Sequence, residues 1–281
     1  MNLETLTGAG LSLGAAVVWG AGDFAGGIAT KRANVFRVVT GAHACGLLFM
    51  LLLAWLTREP IPPRSSLWWG VVAGVTGAFG IAALYKALAI GRMGIVAPVA
   101  SVITAILPVL VGIRSEGMPD RIRLAGFALA LVSIWLVARP DGEIDSHRGL
   151  GLAVLAGVMF GLFLVAGKQA GHHGVFWPLV AARTASTLLM LTIVAFSPRD
   201  ARPLRTALVP ILLSGVLDSG ANAMFIAATR HGRLDVAAVL SSLYPASTVI
   251  LARVLLKERI SATQNAGIAG ALVSVALISA R

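Results

Sequence analysis

Four ionisable side chains, Asp23, His43, Arg183 and Asp218, stand inside long apolar stretches that are otherwise almost free of charge. A charge at mid-membrane depth costs at least a few kcal/mol unless it is paired or hydrated, so such residues mark either an ion pair or a binding site. Their placement suggests two pairs. Asp23 and His43 lie ten residues either side of Ala33, which puts them at one depth on consecutive antiparallel helices. Arg183 and Asp218 lie 19 and 16 residues either side of Arg202. At about 1.5 Å rise per residue, their depths differ by about 4.5 Å. Each pair could lock two helices together. Each could equally furnish a polar cavity in which a carboxylate takes a proton or a ligand's charged group.

Asn222 follows Asp218 by one helical turn and shares its face, which must then look into a bundle rather than at lipid. Trp19 and Tyr244 complete the candidate set, either as cavity lining or as packing. The expected substrate- or proton-binding residues are therefore Asp218, Asp23, Arg183, His43, Asn222, Trp19 and Tyr244, with the proton as coupling ion. Neither catalysis nor metal binding is expected. The chain contains no His-Glu-x-x-His motif and a single cysteine, Cys45. The adjacent His172 and His173 cannot share a helical face and read as surface residues.

The elements that carry these residues follow from composition. The chain is 57% hydrophobic and only 12% charged, too apolar for a soluble domain of this length. Runs of about 20 apolar residues, the length that crosses a hydrocarbon core, recur throughout. Ten are expected: 7–29, 38–56, 67–88, 94–113, 122–138, 149–167, 177–196, 207–229, 236–255 and 262–280. They are continuous rather than alternating, so they predict helices and not a barrel. The fold class is all-α, a polytopic membrane protein whose first partner is the lipid bilayer. The net charge of +11 comes from Lys and Arg scattered singly through short loops. It indicates interfacial anchoring, not a nucleic-acid surface. The first run lacks a basic leader and has a counterpart at 149–167, so it is expected to belong to the fold rather than to a cleaved signal.

A constant offset of 141 residues relates the two halves of the chain. It maps Gly20 to Gly161, Gly74 to Gly215, Ala87 to Ala228, Gly91-Arg92 to Gly232-Arg233, Gly126 to Gly267 and Val132-Ser133 to Val273-Ser274. The chain divides into units 1–140 and 141–281, joined by the acidic Asp141–Asp145 stretch. Five spans per unit is an odd number, so the second unit must lie upside down relative to the first. Inverted repeats are a recurrent architecture of secondary transporters, in which two equivalent halves open a shared site to each side in turn. Asp218 has Gly77 as its counterpart, so its charge belongs to one half alone.

Trp19-Gly20, with Phe160-Gly161 at the matching place, resembles the start of the EamA unit of the drug/metabolite transporter superfamily. Leu240-Ser241-Ser242-Leu243-Tyr244-Pro245, followed by Lys257-Glu258-Arg259-Ile260-Ser261 and Gly267, is similar to its later part. The first half departs from the pattern: Ile103-Thr104 stand where Tyr-Pro would, and Arg114-Ser115-Glu116-Gly117 is a rearranged turn. The resemblance covers nearly the whole chain. It implies a ten-helix inner-membrane carrier that exports small metabolites or amphipathic compounds, has both termini cytoplasmic and needs no cofactor. Loop charge leans the other way, with nine Lys and Arg on the N-terminal side of the membrane against thirteen opposite. A channel and an intramembrane enzyme are the alternatives from other classes.

Overall fold

The computed structural model describes residues 3–90, 93–138, 149–197, 204–256 and 261–279. The expected Asp141–Asp145 joint, Gly91-Arg92, the turn around Arg202, the Lys257–Ile260 turn and Arg281 lie outside these residues. The described chain is helical, with no strand. Its α-helices are α1 (Leu3–Arg32), α2 (Val35–Leu56), α3 (Arg64–Ile90), α4 (Met93–Glu116), α5 (Arg121–Ala138), α6 (Leu150–Ala170), α7 (Phe176–Ala195), α8 (Leu208–His231), α9 (Leu234–Ser241), α10 (Tyr244–Leu256) and α11 (Ala262–Ser279). Eight helical segments are long and apolar enough to cross a membrane. They fall on α1–α4, α6–α8 and α11.

The ninth expected span is two helices. Ser242 and Leu243 form a turn, with Ser242 N–H donating to Ala238 O at 2.9 Å and Leu243 N–H to Leu240 O at 3.3 Å. Pro245 then falls in the first turn of α10, where its missing N–H costs little. The break thus comes just before the expected Tyr244-Pro245 site, and it presents Tyr244 mid-span. By contrast α4 runs through Pro98 and Pro108 without interruption.

Neighbours in space are rarely neighbours in sequence. The principal packing partners are α1 with α8, α3 with α6, α5 with α11, α4 with α6, and α2 and α3 with α7. Small residues permit these approaches. Along the α1–α8 seam, a Cβ at Gly8 would meet Ala228 O, one at Gly22 would meet Asp218 N, and one at Gly26 would meet Ser214 Oγ. Where lipid gives no hydrophobic drive between helices, such close backbone contact supplies the association.

Several of these contacts exchange under the 141-residue offset. Gly126 on α5 faces Leu277 and Ile278, while Gly267 on α11 faces Leu136 and Val137. Gly8 meets Ala228 O, and Gly149 meets Ala87 O. A Cβ at Gly74 would overlap the Ala182 carbonyl on α7, and one at Gly215 would overlap the Ala42 carbonyl on α2. Outside the bundle the polarity is inverted. Large apolar side chains such as Leu48, Trp68, Leu110, Leu188, Val209 and Leu272 are exposed. Trp55, Trp68 and Trp69 face outward near the end shared with the N-terminus, consistent with an interfacial belt.

Candidate functional site

The middle of the bundle gathers most of the expected polar residues. Arg183 on α7 donates from Nη2 to Asp218 Oδ2 on α8, so the second expected pair is formed. The arginine side chain is 8% exposed and the aspartate 36%. The guanidinium is therefore sealed between helices, while its partner opens to accessible space. Gly22 brings α1 against the backbone of Asp218, which carries the neighbouring Asp23 into electrostatic reach of the Asp218 carboxylate. Asp23 is exposed and has no ion-pair or hydrogen-bond partner among the described residues.

One turn before Asp23, Trp19 donates from its indole Nε1 to Asn222 Oδ1 at 3.1 Å. Its ring lies 5.9 Å from that of Phe225. Asn222 is buried, and its amide oxygen holds the indole edge. Tyr244 approaches from the α9–α10 break. Its hydroxyl is 3.1 Å from Ser101 Oγ on α4 and within electrostatic reach of Asp23. Five of the expected residues, Trp19, Asp23, Asp218, Asn222 and Tyr244, thus surround one accessible region bounded by α1, α8 and α10. Arg183 backs it from α7.

The expected Asp23–His43 pair does not form. No ion pair joins them among the described residues, and His43 Nδ1 is buried without a hydrogen-bond partner. The reason is topological. Equal depth on consecutive helices brings two side chains together only when those helices pack, and α1 packs on α8 while α2 packs on α7 and α8. His43 therefore lies within electrostatic reach of Arg183 instead. Thr187 Oγ1 and Ser219 Oγ are also buried without partners on α7 and α8. His172 and His173, in a 3-10 turn after α6, are exposed as expected.

A second polar cluster escaped the sequence reading. Arg233, just ahead of α9, forks onto Asp235, with Nε to Oδ1 at 3.0 Å and Nη2 to Oδ2 at 2.7 Å. The Asp235 side chain is 0% exposed. Arg233 also donates to the Glu116 and Gly117 carbonyls at the end of α4, at 2.9 and 2.6 Å. The Glu116 carboxylate accepts from Leu234 N at 3.1 Å and pairs with Lys168 of α6. Nearby at the same end, Glu59 accepts from the N–H groups of Val175, Phe176 and Trp177, which satisfies the start of α7. The signal was available: Arg233 and Asp235 sit at a helix start two residues apart, next to a stretch without charge.

The profile of the EamA-like transporter family matches the chain twice, over residues 6–139 and 147–280. A solved structure titled "Crystal structure of protein" superposes with a TM-score of 0.80 at 18% identity, covering 96% of this chain and 95% of that one. That likeness shows a shared fold. A comparison with curated proteins found no match.

Proposed function

The chain belongs to the EamA-like transporter family, and from that premise we propose that it is an alternating-access exporter of small metabolites or amphipathic compounds across the inner membrane. The family match supports a multi-pass membrane transporter of the drug/metabolite type. The finer reading rests on one observation: the Arg183–Asp218 pair stands beside the exposed Asp23 where helices from both halves meet. We take the units as 1–140 and 141–281, each of five spans, related by a near two-fold axis in the membrane plane. The exchange of contacts at Gly8 and Gly149, and at Gly126 and Gly267, supports that relation.

In this reading the two halves rock about the central region and expose it to each side in turn. An ion can drive such a transition only by binding the two states unequally. Asp218 is suited to this role because its partner, Arg183, lies on a different helix. Relative movement of α7 and α8 makes or breaks the pair and so alters the carboxylate's hold on a proton. His43, beside the guanidinium, adds a second titratable group to the same place.

Counterflow in proteoliposomes tests the carrier mechanism. Exchange accelerates when substrate is loaded on both sides of a carrier, whereas a channel shows no such acceleration. Asp218→Asn is expected to abolish accumulation driven by a pH gradient while sparing exchange at equal pH. Normal gradient-driven transport by this variant would remove Asp218 from the coupling mechanism.

A further inference from the structure

We propose that the central site takes a monovalent organic cation, an ammonium group attached to an apolar or aromatic body, with Asp23 as its counter-ion. This rests on the transporter reading above and adds the charge class of the substrate. The argument is a charge account of the mid-bundle residues. Arg183 is committed to Asp218, and its side chain is almost wholly enclosed. His43 is buried against Arg183, away from Asp23. Asp23 alone is left without a compensating charge among the described residues, and it alone of the four ionisable groups is fully exposed.

A second observation concerns what lies beside that carboxylate. Trp19 is one helical turn away, its indole N–H already satisfied by Asn222 and its ring set against Phe225. Tyr244 is within electrostatic reach, with its hydroxyl engaged by Ser101. The polar edges of both aromatics are therefore occupied by protein, and what they can offer a ligand is ring surface. An aromatic face attracts a cation through its quadrupole, and the attraction grows when water is excluded. A carboxylate beside ring faces suits an alkylammonium. The same arrangement disfavours an anionic substrate, because the nearest guanidinium is enclosed and already neutralised while two carboxylates face the space.

Gly22 and Gly26 hold the arrangement in place. Their contacts with the α8 backbone and with Ser214 fix α1 so that Asp23 stands near Asp218 instead of being spread away from it. Two carboxylates sharing one guanidinium leave a net negative charge that an incoming ammonium would cancel. A divalent organic cation is less well matched, since Asp218 is already compensated.

Three ligands of matched shape separate the charge classes: 2-phenylethylamine, neutral 2-phenylethanol and anionic 3-phenylpropionate. Binding to the purified full-length protein in detergent is measured by isothermal titration calorimetry. The amine is expected to bind at least tenfold more tightly than either analogue. Asp23→Asn is expected to weaken the amine at least tenfold, and Asp23→Glu to restore part of the loss. Equal affinity for all three, preference for the anion, or no binding of the amine overturns the proposal on the unaltered protein alone. Undiminished amine binding by a folded Asp23→Asn variant overturns the role of Asp23. The transport reading fails separately: Asp23-dependent amine binding without counterflow leaves the site and removes the carrier. Counterflow of a neutral or anionic compound that is indifferent to Asp23 does the reverse.

Discussion

Arg233→Ala offers the sharpest test of how the bundle end nearest the N-terminus is held. Asp235 is fully enclosed, and both its carboxylate oxygens accept from the Arg233 fork. Truncating the arginine strands that charge. Breaking a buried pair by removing one partner costs about 3–5 kcal/mol, most of it from the uncompensated ion left behind. The bonds to the Glu116 and Gly117 carbonyls go with it, each worth about 1 kcal/mol or slightly more. The longer contact to the Glu116 carboxylate, 3.9 Å between partly exposed groups, adds little. The expected loss is therefore about 5 kcal/mol. With roughly 2 °C per kcal/mol for a chain of this size, the melting temperature should fall by roughly 10 °C. Cys45 is the one thiol in the chain and is only partly exposed in the fold. A thiol-reactive fluorophore therefore reports unfolding of the detergent-solubilised protein. The double variant Arg233→Ala/Asp235→Ala removes the stranded charge along with its partner and should recover a large part of the loss. A single variant that melts within 2 °C of the unaltered protein, or a double variant whose loss is the sum of the two single losses, would refute the argument.

Other substitutions follow from the same contacts. Gly74→Ala and Gly215→Ala should each cost about 1–3 kcal/mol, because the added methyl overlaps a carbonyl of the facing helix. Gly27→Ala meets open space and serves as the control in the same melting assay. Glu59→Ala frees three N–H groups at the start of α7 and should destabilise by about 1–3 kcal/mol. Glu59→Gln, which keeps an acceptor, should lose less, and equal losses would remove the capping role. Cytoplasmic and periplasmic reporters fused after Arg281 should report a cytoplasmic C-terminus, against the tilt of loop charge; a periplasmic signal reverses the orientation.

The sequence readily showed helices because hydrophobic continuity is a local property. Each long apolar run became a helix, and even the broken ninth run was anticipated from Tyr244-Pro245, with the turn two residues early. The offset of 141 residues was also legible, since it needs only comparison of the chain with itself. Pairing between helices was legible in one case and misleading in the other. Arg183 and Asp218 meet because α7 and α8 stand close enough at that depth for a long guanidinium side chain to reach across. Asp23 and His43 satisfied the same depth rule, yet their helices point these residues at other partners. Depth is counted along one helix, whereas adjacency depends on which helices pack, and here α1 chooses α8 from the opposite half.

The cluster around Arg233 shows a different kind of blindness. Lys168, Glu116 and Arg233 each stand at a helix end, where a charge usually means an interfacial anchor. Three of their neighbours correct that impression. Gly112 lets α4 come so close to Asp235 that a Cβ there would press on the aspartate itself. The Glu116 carboxylate turns inward to the Leu234 N–H rather than outward to water, and Lys168 joins it from α6. One network thus ties α4 of the first half to α6 and α9 of the second, at the end opposite the turn between α1 and α2. Asp23 and Asp218 retain accessible surface in the middle, while the chain on the N-terminal side of them is knitted by ion pairs and helix caps. If the halves rock about the central residues, this network has to be remade in each cycle. Its strength then opposes the transition that the central charges promote, and the balance between the two sets how long each state lasts. Weakening Arg233 should therefore change the population of states as well as the melting temperature, a coupling that a purely structural cluster would not show.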